Sequence, residues 1–504
     1  MARHDDAVWA ARVTEDAKLG DARRNARAAD LLGVLLANPG KSLACAAGDE
    51  SAKERFYRHS RCREIAPKEL ARAGCQGVVS YIAEVIEAGD EVLLIGDTTS
   101  LSYKHGVAKK LGPTSADLSA KSRGWELHSM LAVSARTKEV WGPVDLLFWT
   151  RDPATHGKHN SRKRRDYEDK ESFKWEASAT AAAERMHHEG LAERSIQITD
   201  RESDVYEYLM HQIGEGQRFI ARASWNRRVV QETVGLFGVL ESQPVRGEYW
   251  LDIQQKGGRQ ARRARLQVRS ATLTLRPPKD AESHLPSLEV NVVELFEAGA
   301  PAGNEPVRWM LFTNEPITRT EDCRAVVDHY SCRWRIEEYH KFLKSEGMNV
   351  EGLRMEEPDN LLRVAVPMTF ASARLMNQRD SLLTPVTRLT RIEDPATKAR
   401  VPEEQLKPAS PLPLGERPCT GVLSQTEWRT LWVTVEKRPP PSTPPTRHWA
   451  ALSLARMGGF SDTKRTGRPG YKAFVAGWVR LMDRVAVVES LHLIDTITSE
   501  GGTA

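Results

Sequence analysis

Two short apolar runs in this chain each lead to an aspartate, which commits it to a sheet with acids along one edge. Val92-Leu-Leu-Ile95 contains no polar residue, the pattern of a strand buried on both faces, and Asp97 follows two residues later. Ser195–Thr199 alternates, with Ile196 and Ile198 on one side, and runs directly into Asp200. In open α/β sheets a carboxylate leaving the carboxyl end of a strand stands where sites are built. Either acid alone could equally cap a turn.

A third acid lies on the strongest helical pattern. Thr318-x-x-Glu321 has the form of a capping box, and helical spacing continues to about Ser345 before Gly347. At 100° per residue, Tyr330, Arg333, Glu337, Lys341 and Lys344 share one stripe. Cys332, Ile336, Tyr339 and Leu343 share the opposite face, so the sequence predicts that this face packs on the sheet and the charged stripe faces away. A ladder of exposed ion pairs would explain the stripe too, at a few tenths of a kcal/mol per pair. One acid among cations and a hydroxyl also suits phosphate binding around a metal ligand. Three separated carboxylates suit Mg²⁺, which takes a few carboxylates plus waters and substrate phosphate oxygens, with Mn²⁺ able to substitute. Two such ions about 3.5–4 Å apart serve phosphoryl transfer. No Ser/His/Asp order, phosphate-binding loop or zinc spacing competes, and the adjacent His187-His188 reads as helix surface.

Charge decides little in total and more in place. The 504 residues carry a net charge of only +5, but seven Lys/Arg and no acid fall between Lys256 and Arg276, and five more between Lys158 and Arg165. The six cysteines form no Cys-x-x-Cys pair and read as reduced thiols. No run approaches the ~20 apolar residues of a membrane helix, and the N-terminus lacks a secretory apolar core, so a soluble, cytoplasmic protein is expected. Residues 1–75 read as helical, with Arg23, Arg24 and Arg27 along one edge. Residues 218–316 read as an inserted antiparallel sheet carrying the basic run, inside an α/β core spanning 76–375. Residues 376–447 are weakly patterned and end in the proline-rich Arg438–Arg447 linker. In 448–504, Phe474, Trp478, Leu481, Val485 and Val488 give a helix an apolar face that needs a partner.

Several motifs, in order, resemble the insertion-sequence-four family of bacterial cut-and-paste transposases. They are Asp97-Thr-Thr-Ser-Leu-Ser-Tyr103, Lys121-Ser-Arg-Gly-Trp125, Asp200-Arg-Glu-Ser-Asp204, the Tyr330/Arg333/Glu337/Lys344 set and Arg354-Met-Glu-Glu-Pro-Asp-Asn360. The similarity runs from about Leu19 to Lys464-Arg-Thr-Gly467. It implies an α/β, ribonuclease-H-like catalytic core with the β-sheet insertion, flanked by helical domains. The N-terminal one would bind transposon-end DNA and the C-terminal one would dimerise. It implies Asp97, Asp200 and Glu337 as metal ligands in an enzyme that nicks the transposon end, forms and opens a hairpin, and joins the 3′ end to target DNA. Trp309 would stack a flipped base, a role a strand tryptophan in the core would otherwise not have, with Tyr330, Arg333 and Lys344 holding DNA around it. Arg222, Arg23, Arg24, Arg27 and Lys41 match DNA-contacting positions. Ser224 stands where the family carries a lysine, with Arg227 and Arg228 as candidate substitutes. Asn38 replaces an aromatic, and Arg438–Arg447 replaces a Lys/Arg-rich stretch. Partners would be double-stranded DNA and a second copy of the chain, with no membrane. Two rivals share these features: a catalytically silent regulator of transposition, and a metal-dependent nuclease that cuts without joining.

Overall fold

The computed structural model describes residues 3–114, 122–153, 165–230, 232–253, 262–301, 303, 305–382, 389–393, 414–461 and 469–500. Lys121, Lys158–Arg164, Lys256, Arg259 and Lys464–Gly467 lie outside the described residues.

Five helices open the chain: α1 (Arg3–Val13), α2 (Ala22–Ala37), α3 (Leu43–Ala47), α4 (Glu50–Arg61) and α5 (Pro67–Val85). Side-chain caps start three of them, with Asp21 accepting from Arg23 N at 2.8 Å, Ser42 from Cys45 N at 3.3 Å and Asp49 from Ala52 N at 2.7 Å. Pro67 opens α5, where a missing N–H costs nothing. Buried Leu31, Leu32, Leu35 and Leu36 fix the inner face of α2 and leave Arg23 exposed.

The sheet follows: β1 (Val92–Tyr103), β2 (Gly112–Pro113), β3 (Arg123–Ser134), β4 (Val140–Trp149), β5 (Ser195–Thr199), β6 (Phe219–Arg222), β7 (Gly247–Ile253), β8 (Arg262–Leu275), β9 (Leu288–Glu297) and β10 (Arg308–Thr313). Helix α6 (Lys174–His188) precedes β5, α7 (Tyr206–Gly214) joins it to β6, and α8 (Leu236–Glu241) precedes β7. Then come α9 (Thr320–Ser331), α10 (Trp334–Lys341), a π-helical turn over Phe342–Glu346, α11 (Pro358–Leu382) and β11 (Leu389–Glu393). All strands form one mixed, mostly antiparallel sheet in the order β11-β7-β8-β9-β10-β6-β5-β1-β3-β2, with β4 also on β3. Only β1/β5 and β5/β6 run parallel. The strands of 218–316 therefore continue the sheet of the two aspartates, joined to it through β10 and β6, and do not form a second sheet.

One apolar core joins the first helices, the sheet and α11. Buried Arg363 of α11 donates to Ile65 O at 2.6 Å, and Asp6 of α1 accepts from Gln378 at 2.9 Å and Arg374 at 3.3 Å.

Beyond it, α12 (Gln425–Glu436), α13 (Arg447–Met457) and α14 (Tyr471–Glu500) build a smaller core with Leu382. This corrects two expectations. The weakly patterned segment contains α12, begun by a reciprocal box between Ser424 and Glu427, and the proline-rich stretch is the turn into α13, with Trp432 Nε1 donating to Pro439 O at 3.1 Å. The apolar face of α14 is covered by its own chain over the described side chains: Phe474, Trp478, Leu481 and Val485 are buried against α12 and α13, while Val487 and Leu491 further along are exposed. The α13–α14 crossing is close enough to demand glycine on both sides, because a Cβ on Gly458 would meet Ala473 O at 1.7 Å and one on Gly477 would meet Leu454 O at 1.7 Å. Among the described residues, no helix is long and apolar enough to cross a membrane.

Candidate active site

The parallel ladder of β1 and β5 pairs Ile95 with Ile198 and then stops, so two residues further Asp97 and Asp200 leave neighbouring strands side by side. β1 itself continues to Tyr103 on β3 alone, which places Asp97 inside the strand where it loses one neighbour, not past its end as the short apolar run suggested. Asp97 Oδ1 accepts from Thr98 N at 2.7 Å; Asp200 Oδ1 accepts from Glu202 N at 2.8 Å and caps the turn Arg201–Ser203.

Glu337 comes from α10. The continuous helix expected from Thr318 to Ser345 is instead two helices broken at Cys332 and Arg333, and the box residue is Asp322, whose carboxylate accepts from Arg319 N at 2.8 Å. The charged stripe does not face away throughout, since Tyr330 and Arg333 are buried. Arg333, at the head of α10, turns its guanidinium onto Glu337 one turn later and lies 3.9 Å from Asp97 Oδ2. Among the described residues, no three His, Cys, Asp or Glu side chains form a closed metal cage, and the Arg333 guanidinium stands between Glu337 and Asp97.

The electrostatics show strain in that arrangement. Burial first, and the like charge of Asp200 next, push Asp97 up to about 7 despite Arg333. Burial also raises Asp200. Hard carboxylate oxygens brought together at a buried site fit a divalent cation, which would need Arg333 to release Glu337. An Asp whose folded value exceeds its unfolded one holds more protons folded than unfolded between about pH 4 and 7. The metal-free protein therefore loses stability as pH rises through that window. Asp97→Asn should melt a few degrees above wild type at pH 8, with the gain vanishing toward pH 4; an equal or lower Tm at pH 8 would refute the strain.

Around the acids, besides Arg333, the structure gathers three of the other sequence candidates. Trp309 in β10 is half-buried, edge-to-face with Tyr330 at 5.1 Å between ring centres. Arg222 in β6 donates to Arg308 O at 2.9 Å, and burial lowers its pKa. Tyr330 feels the charges of Arg222, Arg333 and Asp200. Lys344 is set apart in the π-helical turn, where the nearest influential charges are Glu351 and Glu126. Arg23, Arg24, Arg27 and Lys41 belong to the N-terminal helices; Arg24 donates to Leu19 O at 2.8 Å, Arg27 to Arg23 O at 3.1 Å, and Lys41 pairs with Asp483 of α14 at 3.3 Å.

Three of the five described cations of the basic run pair with acids across the sheet. Arg262 pairs with Glu297 at 2.8 Å, Arg265 with Glu248 at 2.5 Å and Arg269 with Glu294 at 3.4 Å, while Arg263 lies over Trp250 at 5.0 Å. Arg227 and Arg228, the candidate substitutes for a lysine at Ser224, pair with Asp204 and Glu282. Sequence reasoning missed the polar layer beside Asp97: His128 Nδ1 lies 3.0 Å from Thr98 Oγ1, and buried Glu126 accepts from Ser100 at 3.0 Å and Arg151 at 2.9 Å. The only sequence signal was Glu126 following the Lys121–Trp125 motif. Thr98, Ser100, Glu126 and Arg151 line one wall of a cleft of about 1600 Å³ that reaches Glu202, next to Asp200 in the adjoining turn.

The family model for the transposase DDE domain matches residues 176–365, and that for the transposase DNA-binding domain matches residues 6–62. These two segments of the chain are similar to domains that DDE transposases carry. The DDE match contains Asp200, Glu337, Trp309, Tyr330 and Arg333 and begins after Asp97. The DNA-binding match covers α1–α4 with Arg23, Arg24, Arg27 and Lys41. Domains of these two kinds bind DNA and carry out its metal-dependent cutting and transfer.

Proposed function

We propose that Asp97, Asp200 and Glu337 are the metal-binding carboxylates of a ribonuclease-H-like core that nicks transposon ends, passes through a hairpin and joins the 3′ end to target DNA. The single observation carrying this reading is the arrangement of two aspartates on adjacent parallel strands with a glutamate helix facing them across one arginine. Mg²⁺, or Mn²⁺ in its place, would supply Lewis-acid activation of the attacking oxygen and stabilisation of the leaving one. The chain's own residues hold the DNA: Arg333 and Arg222 offer charge to phosphates, and Trp309 beside Tyr330 offers an aromatic surface for an extruded base. Release of Glu337 by Arg333 toward a phosphate would free the third carboxylate. A paired-end homodimer would need a surface other than the apolar face of α14, which its own chain covers.

Incubation of the full chain with duplexes from its candidate element ends and Mg²⁺ tests this. Nicks, hairpins and joined products are expected. Cleavage with no joined product would leave a nuclease, and end binding with no cleavage a silent regulator.

A further inference from the structure

Among the described residues, Trp225 is the only tryptophan left largely in the open, at 67% exposed. Single exposed apolar residues are common and often mean nothing. What distinguishes this one is the loop beneath it. Asp204, itself buried, accepts through Oδ2 from Ser224 N at 2.6 Å and Trp225 N at 2.9 Å, and through Oδ1 from Arg227 Nε at 2.7 Å. Arg227 Nη2 donates back to Asp204 O at 2.8 Å, Ser224 Oγ donates to Arg201 O at 2.7 Å, and Asn226 Oδ1 accepts from Phe237 N at 2.9 Å. Every residue from Ser224 to Arg227 is thus tied by backbone or side chain, while the indole between them projects from a fixed base.

The position is as specific as the loop. Arg201, whose carbonyl holds Ser224, directly follows Asp200 and is exposed. The β6/β10 register pairs Arg222 with Leu311, and Ala223 N continues it to Met310 O at 2.8 Å. One step further brings Ser224 level with Trp309, so Trp225 follows immediately at the same sheet edge. Two tryptophans therefore stand on neighbouring chain segments at this edge, with Arg201, next to Asp200 in sequence, and Arg222 close to both segments.

We propose that Trp225 is a second stacking surface for an unpaired base of the DNA held at this site, separate from Trp309. The cations around it favour a polyanion over an apolar protein surface, and an aromatic face is tolerant of which base it meets. A loop fixed in advance keeps the ordering cost of binding low. This inference rests on the DDE transposase reading of the site.

The test compares wild type, Trp225→Ala and Trp225→Phe on two duplexes of one sequence, one fully paired and one with a single unpaired 2-aminopurine. Stacking of about 1–3 kcal/mol per base corresponds to a loss of roughly 5- to 150-fold. Trp225→Ala should lose that much affinity for the unpaired-base duplex and the quenching of 2-aminopurine with it, while binding the paired duplex within about twofold. Trp225→Phe should keep most of both. Because the side chain is exposed, the melting temperature should be unchanged. Unchanged affinity in Trp225→Ala, or an equal loss on both duplexes, overturns the proposal. If wild type still cuts DNA with Mg²⁺ in that case, only the role of Trp225 fails. A wild type that neither binds the unpaired-base duplex nor cuts DNA sinks both the role and the underlying reading.

Discussion

Asp97→Asn and Glu337→Gln are each expected to reduce Mg²⁺-dependent DNA cleavage by at least about 10³-fold while leaving DNA binding within a few-fold of wild type. Each amide keeps the shape of the acid and removes the charge that would hold a divalent cation, and metal activation contributes several kcal/mol to phosphoryl transfer. The N-terminal helices with Arg23 and Arg27 lie in a different part of the chain, so affinity should survive. The two substitutions should differ in one respect. Glu337→Gln frees Arg333 from its ion pair at the start of α10, whereas Asp97→Asn relieves a buried like-charge contact. A folded Glu337→Gln protein cutting at near wild-type rate would remove Glu337 from the metal site.

Deleting residues 471–504 should unfold the C-terminal helices and not merely prevent pairing of two chains. It strips Phe474, Trp478, Leu481, Met482 and Val485 from a core they share with Trp428, Leu431, Leu454 and Leu382. At about 1.5–3 kcal/mol for each buried side chain, the loss is on the order of 10 kcal/mol, comparable with the whole stability of a typical domain. It also removes Tyr471, whose ring lies 3.9 Å from the Arg379 guanidinium and whose hydroxyl donates to buried Asp380 at 3.5 Å. Limited trypsin digestion should then cut within α12 and α13, at Arg429 or Arg456. A truncated protein with those sites still protected would show that α12 and α13 stand without α14.

The strands leading to the two aspartates were legible because each depends on a few local residues, an apolar run in one and alternation in the other, although Asp97 lies within β1 and not past its end. Other features depend on partners far along the chain. The arginines of β8 looked like a free basic strip because their acids, Glu248, Glu294 and Glu297, come from β7 and β9 and meet them only across the sheet. The face of α14 looked unpartnered because its cover, α12, lies in a stretch whose periodicity is weak. The break at Cys332–Arg333 had no glycine or proline to announce it, and the helical spacing passes through it unchanged. The side-by-side exit of Asp97 and Asp200 required knowing that β5 pairs with β1, which no local pattern encodes.

Because Trp309 and the two aspartates are carried by a single sheet, their separation is a fixed length. From β10 through β6 to β5 is two strand spacings, about 10 Å, and one more spacing to β1 makes about 15 Å. A sheet hydrogen-bonded across all these strands does not stretch between them. The protein thus acts as a gauge block, and any nucleic acid touching Trp309 and the acids at once must supply the deformation itself. Sequences whose steps unstack easily would fit that gauge at lower cost than stiff ones, so selectivity among DNA ends can arise at positions that no side chain touches.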